Sequence, residues 1–130
     1  MNIGEVAQKS GVPAKTIRYY EDIGLILPAK RADNGYRRYD DDDVQTLHFI
    51  NRARGLGFSV ENCSNLLTLY QDRNRSSADV KAIALSNIAR IQHKIRELKA
   101  METTLIDLAE RCHGDERPDC PILEDLSDLH

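Results

Sequence analysis

The sequence predicts a mainly α-helical chain, with a head of short helices and one hairpin followed by a single long helix. Three observations predict this. Helix caps and breakers recur at short intervals through the first 70 residues. Asn34-Gly35 lies between two short apolar or aromatic runs, the strongest local signal for a hairpin. From 79 to 111 there is neither Gly nor Pro, and apolar residues recur at spacings of four and three.

At 130 residues the chain has room for one modest domain, or a small domain with an oligomerisation element. No apolar run approaches the ~18 residues needed to span a membrane. The opening Met1-Asn2-Ile3-Gly4-Glu5 lacks the basic and apolar regions of a secretory signal. A cytoplasmic location is therefore expected, where thiols stay reduced.

The elements follow in order. Asn2, with Glu5 three residues on, predicts an N-capped first helix to about Ser10. Gly11 breaks it, and Pro13 suits the first position of a second helix. That helix should reach about Asp22 and stop at Gly24, with apolar Leu25 beyond. Two short helices in this arrangement outline a helix-turn-helix. Ile26-Leu27 and 36–39 are expected as the strands of a hairpin or wing. Asp40 to Asp43 then cap a third helix and complement its dipole, ahead of the stripe Val44, Leu47, Ile50, Ala53. Gly55 and Gly57 end it, and Ser59 caps a fourth helix through about Tyr70. Residues 1–70 are thus a winged helix-turn-helix domain, and 71–78 a polar hinge.

The long helix carries Ala84, Ile88, Ile91, Ile95, Leu98, Leu105 and Ala109 in one seam, interrupted by Glu102. About 33 residues of helix extend roughly 50 Å, too far to bury that seam against so small a head. A narrow seam sustained over nearly four heptads calls for another helix. A two-fold homodimer is the simplest source of one, so 79–111 is expected to be a dimerisation helix.

Charge is uneven along the chain. The net charge of −3 conceals seven Lys/Arg against three Asp/Glu between Lys9 and Arg38, and six acids against Arg117 alone after Arg111. A basic face at one end, held away from an acidic end, suits a nucleic-acid reader. Lys15 and Arg18 share a face of the second helix, while Ile17 lies on another and anchors it to Ile3, Val6 and Val12. The polar face is then free for a major groove. Tyr19 and Tyr20 bring hydroxyls for phosphates, although one ring could belong to the core. Lys30, Arg31, Tyr36, Arg37 and Arg38 give the wing its charge and a hydroxyl, suited to phosphates that position without specifying.

Cys112 and Cys120, separated by seven residues, follow the long helix. Gly114 and Pro118 make the intervening stretch a loop, and Pro121 fits the first position of a short C-terminal helix. That puts Cys120 at or near an N-cap, where the helix dipole favours a thiolate. Two soft thiolates without evident further ligands suit a low-coordinate ion such as Cu(I). Their total charge with a monovalent ion is −1, which a helix N-terminus can stabilise. Zinc would want four ligands, and His113 is the one additional donor at hand. Cys63, in the fourth helix, fits a small buried residue.

The runs Thr16-Ile17-Arg18-Tyr19-Tyr20-Glu21, Gly24-Leu25 and Asn34-Gly35-Tyr36-Arg37-Arg38-Tyr39 together resemble the DNA-binding head of the MerR family. The resemblance covers the whole chain. It implies a winged helix-turn-helix, an antiparallel coiled coil as the dimer element, and an effector site in residues 112–130. The tail is similar to that of the copper-responsive CueR branch, in which two loop cysteines hold Cu(I), and often Ag(I) or Au(I), in linear geometry. Members sensing divalent ions usually carry a cysteine at the start of the dimerisation helix; Ser77 stands there in this chain.

The resemblance therefore implies a Cu(I)-responsive activator of copper-efflux genes, working on promoter DNA and RNA polymerase as a homodimer. It would act by distorting the DNA when metal binds. DNA-binding candidates are Lys15, Arg18, Tyr19, Tyr20, Arg31, Tyr36 and Arg37, and metal candidates are Cys112 and Cys120. A divalent soft-metal sensor, a thiol redox switch and a metal buffer remain as alternatives. No nucleophile–base constellation or phosphate-binding loop points to an enzyme.

Overall fold

The computed structural model describes residues 1–31, 35 and 37–129. Its elements are α1 (Ile3–Ser10), α2 (Ala14–Asp22), β1 (Lys30–Arg31), β2 (Arg37–Arg38), α3 (Asp41–Gly55), α4 (Val60–Gln71), α5 (Ser77–Arg111) and α6 (Pro121–Ser127). They form two compact units, Met1–Asn87 and Ile88–His130, and the division falls inside α5.

In the first unit the local signals work as the residues dictate. The Asn2 side chain accepts from the Glu5 N–H at 2.8 Å, and Ser59 does the same for Asn62 at 3.1 Å. Asp40 and Asp43 exchange side-chain and backbone hydrogen bonds as a reciprocal capping box at the start of α3. Gly24, at φ +77°, follows Ile23, the C-cap of α2. Its N–H reaches the Glu21 carbonyl, and the Leu25 N–H reaches Tyr20. These paired bonds make a Schellman stop, which requires a left-handed residue and so favours glycine.

α1 packs on α2 and α3, and α3 packs on α4. Between them lies a core of Val6, Val12, Ile17, Tyr20, Tyr39, Leu47, Ile50 and Leu67. Val6, Ile17, Leu47 and Ile50 are fully buried, each contributing about 1.5–3 kcal/mol relative to exposure. Cys63 is also fully buried, and that burial raises its thiol pKa against the opposing pull of Arg54.

Three expectations shift. The first strand is Lys30–Arg31 rather than Ile26-Leu27, paired antiparallel with Lys30 opposite Arg38 and Arg31 opposite Arg37. The Ile26 N–H is directed to the Tyr20 carbonyl at the end of α2, and Pro28 has no N–H to give a ladder. The turn residue Asn34 and the start of the second expected strand, Tyr36, lie outside the described residues. Pro13 is the N-cap of α2, not its first residue: its backbone is extended (ψ 145°) and its carbonyl accepts from Ile17 at 3.0 Å. Finally, α5 begins at Ser77, because Ser76 accepts from the N–H groups of Ala78 and Asp79.

In the second unit, α5 leads into a loop and α6. Ile88, Ile91, Ile95, Leu98 and Leu105 are all 40–58% exposed, so the apolar seam stands open along the helix. Leu108 is the exception, 3% exposed. Among the described residues, no helix is long and apolar enough to cross a membrane.

Candidate functional site

The head presents two faces of α2 with opposite chemistry. Ile17, Tyr20 and Glu21 are spaced three and four apart and all point inward, at 0%, 7% and 8% exposure. Lys15, Arg18 and Tyr19 have the same spacing and are exposed. The tyrosine pair is thereby split. The Tyr20 ring belongs to the core, while Tyr19 stands outside with its basic neighbours. The ring of Tyr19 meets that of Tyr20 with centroids 6.0 Å apart.

Glu21 is the residue that sequence reasoning passed over. It is a buried carboxylate that ties α2 to the chain around the wing. The Tyr39 hydroxyl donates to its Oε1 at 2.7 Å, and the Ala29 N–H donates to its Oε2 at 3.0 Å. These two partners immediately precede β1 and follow β2. Tyr39 is held from the other side as well, since its backbone exchanges hydrogen bonds with Met1 at 2.8 Å in each direction. The register of Glu21 four residues after Ile17 was the available signal, because it places the carboxylate on the core face.

Arg31 and Arg37 face each other in the two-stranded ladder. Their side chains, and the whole of Tyr36, lie outside the described residues. Arg38 is exposed. The structure thus brings Lys15, Arg18 and Tyr19 onto one exposed helical face, and gives the wing's backbone a fixed attachment to the core.

The tail of the second unit brings the two thiols together. α5 ends at Arg111, and the Cys112 N–H still bonds back to Leu108 and Ala109 at 3.2 Å. Gly114, at φ +66°, turns the chain away from the helix line, a conformation L side chains rarely adopt. Arg117 is latched to Asp115 through its backbone N–H at 2.9 Å and its guanidinium at 2.8 Å. Cys120 is the N-cap of α6, with Pro121 at the first helical position.

Both cysteines are free of disulfide bonds and half-buried. The Leu123 and Ile122 N–H groups are aimed at the Cys120 sulfur and hold its thiol below the ordinary range, and the Cys112 thiol adds a hydrogen bond in the same direction. Partial desolvation and the Glu124 charge oppose them. The amides act here as dipoles at a helix start, since Cys120 makes no cap hydrogen bond of regular geometry.

Beside Cys120 is an open cavity of about 250 Å³, lined by Arg111, His113, Asp115, Arg117, Asp119, Pro121 and Glu124. Among the described residues no group of three or more His, Cys, Asp or Glu is arranged to hold a metal ion. His113 is exposed in the loop, and His48 is exposed on α3. His93 pairs with Glu97 on the surface of α5 at 2.7 Å. Two soft sulfurs beside a helix start are the donor set this tail offers. It fits an ion satisfied by two thiolates better than one needing four ligands.

Comparison with known proteins gives a consistent answer. Residues 1–69 match the model of the MerR HTH family regulatory proteins, and residues 44–108 match the MerR DNA-binding model. The HTH-type transcriptional regulator HmrR of Rhizobium leguminosarum bv. viciae is 59% identical over 128 residues, covering 98% of each chain. The HTH-type transcriptional regulator CueR of Salmonella typhimurium is 45% identical over 127 residues, covering 98% of this chain and 92% of that one. Among solved structures, the transcription regulator PbrR691 from Ralstonia metallidurans CH34, in complex with lead(II), superposes with a TM-score of 0.81. It is 32% identical, with 98% of this chain and 99% of that one covered. On these matches and on the fold, the chain belongs to the MerR family of helix-turn-helix transcription regulators, DNA-binding proteins rather than enzymes.

Proposed function

We propose that this regulator is a Cu(I)-responsive transcription activator, also answering Ag(I) and Au(I), that controls copper-efflux genes from promoter DNA as a homodimer. The observation that carries the reading is the thiol pair. The Cys112 thiol and the amides of α6 act on Cys120 in the same direction, and together they favour its thiolate. A two-thiolate complex of a monovalent ion keeps one negative charge, which a helix start stabilises. With a divalent ion that charge is gone, and so is the reason for placing it there.

The likeness to CueR across nearly the whole chain supports the same ion. A divalent soft ion is the second reading, favoured by the lead(II) complex of PbrR691. Ser77 opens α5 where divalent-sensing members usually carry a cysteine, which supports the monovalent choice.

The open seam of α5 supports pairing with a second copy, in the antiparallel sense of the family. Lys15, Arg18 and Tyr19, with Arg31, Tyr36 and Arg37 of the wing, would meet the DNA. Tyr20 would contribute through packing. Metal binding would favour one setting of the two heads over another, so that transcription changes through DNA shape more than through DNA affinity.

The test is anaerobic titration against a Cu(I) chelator, beside the same titration with Zn(II) and Pb(II), on the wild type and on Cys112→Ser and Cys120→Ser. Tight Cu(I) binding is expected in the wild type and its loss in either variant, with operator binding retained by both. Tighter Zn(II) or Pb(II) binding would refute the monovalent assignment. Copper induction that survives either substitution would refute the site.

A further inference from the structure

We infer that Asn87 is the positioning residue by which the long helix grips the DNA-reading head, and that this grip sets how rigidly the dimer measures the spacing of its two half-sites. The inference rests on the reading above only in taking the protein to bind DNA as a dimer.

Among the described residues of α5, only Asn87 and Leu108 are fully buried, at 4% and 3% exposure. They are 21 positions apart, three heptads, on the same side of the apolar seam. Leu108 belongs to the second unit, which holds the sensor loop. Asn87 is the last residue of the first. Its Nδ2 donates to the Leu56 carbonyl at 3.1 Å, across 31 residues of sequence.

Leu56 is the C-cap of α3. The carbonyls at a helix end lack intrahelical donors, and most must find a partner elsewhere. In α3 the Ala53 and Arg54 carbonyls are taken by the turn that follows, through Phe58 and Gly57. The Leu56 carbonyl is instead reached from α5. The head is therefore joined to α5 covalently through 72–76 and also through this buried amide. The first eleven residues of α5 belong with the head, so the joint that matters lies at Asn87 rather than in the polar stretch before Ser77.

An apolar residue at Asn87 would have sufficed for packing. The hydrogen bond from the amide to the Leu56 carbonyl adds direction, because a hydrogen bond loses strength steeply off axis. It resists rotation of the corner between α3 and α4 about the long helix. Since the dimer carries two such joints, slack at each would let the heads accept half-sites at altered spacing.

The experiment uses the full-length dimer and the operator that the wild type selects from a random duplex pool, together with that operator lengthened by one base pair at its centre. The wild type should lose at least tenfold in affinity on the insertion. Asn87→Leu, which keeps the volume but loses the donor, should bind the unaltered operator within threefold of wild type and lose less than threefold on the insertion. Asn87→Asp, an isostere with an acceptor in place of the donor, should behave likewise and serves if the leucine variant folds poorly. A wild-type insertion penalty in the variants overturns the inference. So does a loss of more than tenfold on the unaltered operator in both, which would mean that Asn87 merely holds the head together. Selection of no duplex by the wild type would refute the functional reading itself.

Discussion

Tyr39→Phe isolates the bond that fastens the wing. The substitution removes one hydroxyl and leaves the ring, so packing of the 3%-exposed side chain is preserved and little cavity is made. What is lost is a 2.7 Å hydrogen bond to Glu21, a carboxylate itself 8% exposed. Hydrogen bonds to charged groups contribute about 1.5–3 kcal/mol. The middle of that range, about 2 kcal/mol, corresponds to roughly a thirtyfold change in an equilibrium constant. A tyrosine hydroxyl facing water would contribute almost nothing.

The assay is urea denaturation at fixed protein concentration, since the proposed dimerisation would make stability concentration-dependent. A double-mutant cycle with Glu21→Ala would assign the loss to the pair, with a coupling of about 1 kcal/mol or more expected. Because Ala29 and Tyr39 flank the hairpin, the variant should also lose backbone protection at the outer edges of its DNA footprint before losing it under α2. A stability change below about 0.5 kcal/mol, the range of ordinary surface substitutions, would refute the claim that Glu21 anchors the wing.

Three further outcomes are expected. Arg18→Ala should weaken operator binding and lower the salt dependence by about one counterion, leaving metal affinity unchanged; an unaltered footprint would mean the reading face is misassigned. Iodoacetamide at mildly alkaline pH should label Cys120 first and Cys63 only after unfolding, since helix amides lower one thiol and burial raises the other. Early labelling of Cys63 would contradict its place in the core. In the proposed homodimer Ile95→Asp enters the seam twice, and losing an apolar side chain of about 1.5–3 kcal/mol per copy should weaken association at least a hundredfold by sedimentation. An undisturbed dimer would show that the exposed stripe on α5 is not the interface.

Much of this molecule is legible in short stretches of chain. Asn2, Asp40, Ser59 and the Gly24-Leu25 pair mark helix ends because each cap is satisfied within three to five residues. Pro121 marks the start of α6 through its fixed φ at the first helical position. The seam of α5 is visible because its period is a property of one helix. These are local bonds and local periodicities, and they do not depend on what else the chain does.

The tertiary structure decided where elements meet. It assigned Tyr20 to the core and Tyr19 to the surface, because Tyr20 falls on the buried face with Ile17 and Glu21 while Tyr19 falls on the exposed face with Lys15 and Arg18. It moved the first strand from Ile26-Leu27 to Lys30–Arg31, because the end of α2 claims the Ile26 N–H. It made Glu21 an anchor for Ala29 and Tyr39, brought the Cys112 thiol to Cys120, and directed Asn87 to Leu56. Each of these joins groups from separate elements or opposite ends of a loop. Such bonds depend on how faces are packed, and packing is settled by burial of the whole set of apolar residues at once, which no short window of sequence contains.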